Sequence, residues 1–210
     1  MGATMTVAPT DPPASPDDPE CAEIPAWLFP PEGGWTAEHL DHLPNLPRHT
    51  ELLDGSLVFM SPQRIVRMRV INLLMSSLMA TCPDELAVLR EMTVTLGKRD
   101  RPEPDLMVVP AEAVDDEQTT LQPEDVQLTV EVVSPESDVR DREVKPRKYA
   151  AAGIRYFWGV ENEGGEPVVH TFELDEAIGA YAPTGVHRGK LEIELPYPIE
   201  VDLTDRRLHR

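Results

Sequence analysis

The sequence predicts one α/β domain behind an unpacked leader, and three observations carry that expectation. An amphipathic stretch at helical spacing lies among several short β-branched runs. The first 31 residues hold eight prolines, and no internal repeat or second domain follows. Hydrophobic residues make up 40% of the 210-residue chain and charged residues 27%, a globular balance with enough length for a real core.

Residues 1–31, rich in Pro, Asp, Ser and Thr, read as a disordered or extended leader, with the domain spanning 32–210. The leader begins without basic residues or an apolar core, so it is not a secretory signal. The longest apolar stretch, residues 70–80, is interrupted by Asn72, Ser76 and Ser77. It falls short of the roughly 18 apolar residues that suggest a membrane span. Cys21 and Cys82 are too few for a disulfide framework or a thiolate zinc site. A cytoplasmic protein with reduced thiols and no membrane partner is expected.

Within the domain, TAEHLDHL begins with Thr36 as an N-cap and suggests a short helix. TELLDGSLVFMSP reads as a hairpin turning on Asp54-Gly55, a dipeptide suited to two positive φ angles. IVRMRVINLLMSSLMATC repeats apolar residues at 66, 70, 71, 74, 75, 78 and 79, one face of a helix closed by Pro83. Met60, Met68, Met75 and Met79 read as core filler, and Trp27, Trp35 and Trp158 as packing residues. Strands are expected at AVLREMTVTL, DLMVVP, LTVEVVSP, IRYFWGV, PVVHTFEL and KLEIEL. A charged helix over roughly 141–152 ends at Gly153, with Pro146 in its first regular turn.

The formal charge of −19 argues against a generic basic nucleic-acid-binding module. The distribution of that charge narrows the exclusion. Residues 1–60 carry ten acids and one base, and residues 103–135 carry nine acids and no base. The flanking segments 61–102 and 136–158 are net positive, by three and two charges. An acidic centre between basic borders suits a cation site with basic walls.

Three polar residues sit where an apolar core would not want them. Asp105 opens a β run, Glu131 lies inside one, and Lys145 lies on the helix after a Ser-Pro turn. Buried charge is costly unless it is paired or bound to metal. Two carboxylates on neighbouring strands make a hard-oxygen site for Mg²⁺ or Mn²⁺, and a nearby lysine would orient water or stabilise phosphate charge. The same residues equally suit a structural arrangement, with Asp105 capping a strand and Glu131 paired to Lys145. His39 and His42 are three apart on the first helix, but no third metal ligand accompanies them.

Taken together, ELLDGSLVFMSP (51–62), PD (104–105), EVVSPES (131–137), Asp141, Lys145, Tyr149 and GIRYFW (153–158) resemble the Uma-two family. These are bacterial restriction-endonuclease-like proteins of the PD-(D/E)XK nuclease superfamily. The resemblance covers roughly residues 45–203. It implies a mixed sheet flanked by helices and a metal-dependent endonuclease acting on DNA. By position, Asp105 matches the motif aspartate and Glu131 the second acid, both as metal ligands. Val133 stands where the general pattern has lysine, and Lys145 resembles the family's relocated lysine. Tyr149 shares the Lys145 helix face. Glu51 matches an acid common in the family, although a hairpin-edge position also suits a structural role. Arg67 stands where relatives often carry histidine, and its neighbours Arg64 and Arg69 read as a solvated helix face. Net acidity keeps two alternatives open: a catalytically silent binding or regulatory module, and a phosphodiesterase acting on a small nucleotide. A homodimer is compatible with either.

Overall fold

The computed structural model describes residues 25–205. Most of the expected leader, residues 1–24, and Cys21 with it, lie outside the described residues. The centre of the fold is a six-stranded mixed sheet. Its strands are β3 (Leu86–Arg90), β5 (Leu106–Pro110), β7 (Leu128–Val132), β8 (Tyr156–Glu163), β9 (Glu166–Asp175) and β10 (Ala180–Arg188). They lie in the order β10-β9-β8-β7-β5-β3, with β7 and β8 parallel and every other neighbouring pair antiparallel. This is the mixed sheet of the expected α/β class.

Alternation along the strands sorts side chains to two faces. Leu106, Val108, Leu128, Val130, Val132, Trp158 and Val160 share one hydrophobic cluster. Helix α2 (Ile65–Thr81) covers it through Val70, Ile71, Leu74 and Leu78. The antiparallel pair β11 (Lys190–Ile193) and β12 (Ile199–Asp202) adds Leu191, Ile199 and Val201. On the other face, Met107, Val109 and Phe157 pack with Tyr149 and Ile154. Tyr149 belongs to α3 (Lys145–Ala151), so one helix sits on each side of the sheet.

The α2 periodicity predicts its bounds well, but not every residue of its stripe is covered. Met75 is half-buried against the core, whereas Met68 is 41% and Met79 57% exposed, so these two are not core filler. Trp35 and Trp158 are buried as packing residues. Helix α1 is a single turn, Ala37–Leu40, capped by Thr36. The Nδ1 of His39 accepts the Thr36 N–H, and the Nδ1 of His42 lies 2.9 Å from the Glu38 carbonyl. These local bonds occupy the two rings separately.

The predicted hairpin is β1 (Thr50–Leu53) and β2 (Ser56–Phe59), with φ of 51° at Asp54 and 77° at Gly55. The stretch AVLREMTVTL does not form one strand. Glu91, at φ 53°, breaks it into β3 and the short β4 (Thr93–Val94), which pairs in parallel with β6 (Thr120–Leu121). Strand β10 has no clear signal in the sequence, because Pro183 and Gly185 interrupt its apolar pattern. They coincide with a register shift at this sheet edge, where such residues are tolerated. Among the described residues no helix is long and apolar enough to cross a membrane.

A carboxylate cluster at the candidate active site

The second acid, Glu131, alternates with Val130 and Val132 along β7 and therefore faces α3. Register brings the start of β5 alongside it: Leu106 pairs with Val130, so Asp105 falls opposite Glu131. Helix α3 follows a wider π-turn over Arg140–Val144, in which the Lys145 N–H reaches back to the Arg140 carbonyl. Pro146 accounts for the widening, since it has no N–H to donate and its ring crowds the carbonyl four residues back. The hairpin contributes from the other side. Leu52 exchanges backbone hydrogen bonds with Arg101, which lays Glu51 against the chain entering β5.

These elements gather Glu51, Glu131, Asp141 and Lys145 around one ammonium group. Lys145 Nζ lies 2.6 Å from Glu51, 3.1 Å from Glu131 and 3.5 Å from Asp141. Tyr149 donates its hydroxyl to the other Glu131 oxygen at 2.6 Å. Glu51 Oε1 also accepts the backbone N–H of Glu103. Asp105 adjoins the group but is held differently. Arg67 Nη2 donates to both its oxygens, at 2.7 and 2.9 Å, and the Val132 N–H donates to Oδ2 at 2.7 Å. Glu51, Asp105, Glu131, Asp141, Lys145 and Tyr149 are all 4% exposed or less. Among the described residues, three buried carboxylate oxygens have no hydrogen-bond donor from the protein: Glu51 Oε2 and both oxygens of Asp141.

Electrostatics follow from this crowding. Burial pushes Asp105 up to about 6, outweighing the attraction of Arg67. Burial likewise raises Glu131 well above the usual carboxyl range, against the pull of Lys145 and reinforced by the other acids. Burial opposes the charge of Lys145, yet Glu131, Glu51 and Asp141 together hold its affinity for the proton well above the ordinary value. Lys145 is therefore the fixed cation of the cluster, and the acids outnumber the bases that meet them.

Two clefts flank the site. One, of about 490 Å³, is lined by residues of the β2–α2 linker, Glu91, Arg67 and Asp105. The other, of about 550 Å³, is lined by Arg64, Arg67, Ser134, Asp138 and Arg142. Arg67 borders both. Glu131 and Lys145 lie beneath this surface.

Each residue singled out from the sequence has a clear place. Glu131, Lys145, Tyr149 and Glu51 converge directly, and Asp105 joins through Arg67, Val132 and register. Arg64 is exposed and paired with Glu136, whereas Arg67 turns inward. The sequence does not mark Asp141 as a site residue beyond its place in the family motif. The one signal that could find it is its spacing, four residues before Lys145 and therefore on the same side of a helical segment. A separate group, Glu161, Glu163 and His170, brings three ligand atoms within 4.8 Å of one another on β8 and β9. Its acids are already paired with Arg142 and Arg188.

A mixed sheet with a helix on each face, carrying a buried carboxylate–lysine cluster at the strand ends, defines an α/β protein of a recurrent fold. The same fold occurs in the 1.96 Å crystal structure of a "putative nuclease belonging to DUF820" from Anabaena variabilis. The likeness has a TM-score of 0.58 at 13% identity and covers 77% of this chain and 89% of that one. The chain belongs to the Uma2 family, described as "Putative restriction endonuclease", whose profile matches residues 37–206. No curated protein matches the sequence.

Proposed function

We propose that the protein is a metal-dependent nuclease of the PD-(D/E)XK type, hydrolysing DNA phosphodiester bonds with Mg²⁺ or Mn²⁺. The cation is held in the carboxylate cluster that contains Asp105 and Glu131, with Lys145 beside it. One observation carries this reading. Four buried carboxylates crowd around only two buried bases, Lys145 and Arg67, and burial raises the proton affinity of Asp105 and Glu131 among them. A cation would relieve that crowding, and a carboxylate donor set is what hard cations prefer.

Bound among these oxygens, a divalent cation supplies Lewis-acid stabilisation of charge developing on a phosphoryl group. The chain supplies the rest. Lys145 keeps its proton and presents an ammonium group that orients water or meets phosphate charge. Tyr149 fixes the rotamer of Glu131 through its 2.6 Å hydrogen bond. Arg67 offers a guanidinium at the cleft wall, where phosphate recognition favours arginine.

The test is cleavage by the purified full chain of plasmid DNA, a single-stranded oligonucleotide and a small phosphodiester, with Mn²⁺ and with EDTA. Metal-dependent cleavage that falls about 100-fold or more in Glu131→Ala and Lys145→Ala is the expected result. No cleavage of any of the three substrates sinks the proposal. Activity confined to the small phosphodiester moves the substrate from DNA to a nucleotide.

A second reading, a silent module that binds without cutting, is favoured by a different observation. Glu131 and Lys145 are buried beneath the clefts, and Asp105 is already saturated by Arg67 and Val132. Oligonucleotide binding that is indifferent to EDTA and to Glu131→Ala would support that reading.

A further inference from the structure

A small cavity lies between the two clefts, and the arginines that line it are not equivalent. It measures about 110 Å³, and its walls include Ser61, Arg64, Arg67, Ser134, Glu136 and Arg140. Ser61 and Arg67 also border one cleft, and Arg64, Arg67 and Ser134 the other. Arg64 meets Glu136 and Arg67 meets Asp105, each at 2.7 Å. Arg140 forms no ion pair among the described residues, and its buried Nε makes no hydrogen bond. A guanidinium nitrogen withdrawn from water without an acceptor is costly, so this group is short of an anion. The local fold explains its direction. Arg140 opens the π-turn, and Asp141 beside it approaches Lys145. Adjacent residues of a helical turn do not face each other, so Arg140 is directed away from the buried acids and toward the β2–α2 linker.

We propose that this cavity is a phosphate subsite, in which Arg140 binds one backbone phosphate of the substrate strand. The planar fork of arginine suits an anion that presents several oxygens, and the Ser61 and Ser134 hydroxyls add polar contacts. Size narrows the ligand further. The cavity is smaller than the roughly 300 Å³ of sites that take a whole small molecule, yet has the space of about three or four waters. A phosphoryl group fits, and a nucleoside does not. A strand seated there passes from one cleft to the other, with its neighbouring nucleotides in the two larger spaces. That the anion belongs to a nucleic-acid strand rests on the nuclease reading, whereas the anion site itself stands on the cavity and its unpaired arginine.

The experiment measures binding by the full chain in EDTA, so that cleavage plays no part. A labelled short single-stranded DNA is titrated at several KCl concentrations, and inorganic phosphate is followed by its effect on melting temperature. Arg140→Gln should weaken DNA binding about fivefold or more and lower the salt slope by about 0.7, the value for one single-strand phosphate. It should also remove most of the rise in melting temperature that phosphate gives the wild type. Without ligand it should melt no lower than the wild type, because the side chain gives up no partner. Arg188→Gln, which removes the same charge from edge strand β10, should change affinity by less than about twofold. Inorganic phosphate should also displace the DNA from the wild type better than chloride at equal ionic strength, which keeps the test open should Arg140→Gln not fold. Equal losses in the two variants, an unchanged salt slope, or no displacement by phosphate overturns the subsite, while metal-dependent cleavage still decides the nuclease reading. Protection by phosphate that depends on Arg140, without DNA binding, upholds the anion site and moves its phosphate from a strand to a free nucleotide. A wild type that binds neither overturns the proposal outright.

Discussion

Arg67 straddles Asp105, with one guanidinium nitrogen donating to both carboxylate oxygens while its Nε donates to the Val132 carbonyl at 2.9 Å. Helix α2 is thereby tied to the ends of both β5 and β7. Arg67→Met leaves a buried carboxylate without its cation and should destabilise the protein by about 3–5 kcal/mol. Adding Asp105→Asn to that variant should recover much of the loss. Urea unfolding of both single variants and the double variant measures the coupling. Strictly additive losses would show that the two residues do not act as a pair.

Tyr149 anchors Glu131 from α3, the helix that the Glu131 side chain faces. Tyr149→Phe keeps the ring packed beside Phe157 and removes only the hydroxyl. The expected loss is about 1–3 kcal/mol, the cost of leaving a buried acceptor without its donor. A variant as stable as the wild type in denaturant titration would show that Lys145 alone satisfies Glu131.

Asp105 gives the protein a pH signature of unusual sign. Its carboxyl titrates at about 6 in the folded state, because burial outweighs Arg67. In the unfolded chain an aspartate titrates at about 4. Between these values the folded state binds more protons, so stability falls as pH rises. Relative to Asp105→Asn in EDTA, the wild type should lose about 3 kcal/mol from about pH 4 to about pH 6.5 and then level off. A gap that widens in favour of the wild type over that range would contradict the burial argument.

The two ends of the α2 stripe should respond differently to truncation. Leu74 is fully buried against the sheet, and Leu74→Ala should cost about 2–5 kcal/mol. Met79 is 57% exposed, and Met79→Ala should stay within about 0.5 kcal/mol. Chemical denaturation of the two variants side by side tests which face of α2 is covered.

Local chemistry makes much of this legible in the chain itself. Asp54-Gly55 announces its turn, Pro83 closes α2, and a carboxylate between two valines marks Glu131 as unusual. Lys145 is readable as a charge on the helix after the Ser-Pro turn, and it does meet Glu131. What stays hidden depends on tertiary context. A hairpin-edge acid such as Glu51 looks structural until the Leu52–Arg101 pairing buries it. Arg64, Arg67 and Arg69 look alike within six residues, yet it is Arg67 that meets Asp105 at the sheet end. Asp141 sits in a charged stretch with little to distinguish it, because its burial is decided by the docking of the following helix.

The widened turn ahead of α3 works as a phase setting. Each residue of an α-helix advances about 100° around the axis, so one residue more or less rotates everything upstream by that angle. The π-turn over Arg140–Val144 accommodates one such extra residue. Deleting Arg142 would restore ordinary pitch while leaving Lys145 and Tyr149 where the sheet holds them. Asp141 would then swing out of register with the cluster. The approach of Asp141 to Lys145 thus hangs on the count of residues in a single turn, a length constraint that no substitution of either side chain would reveal.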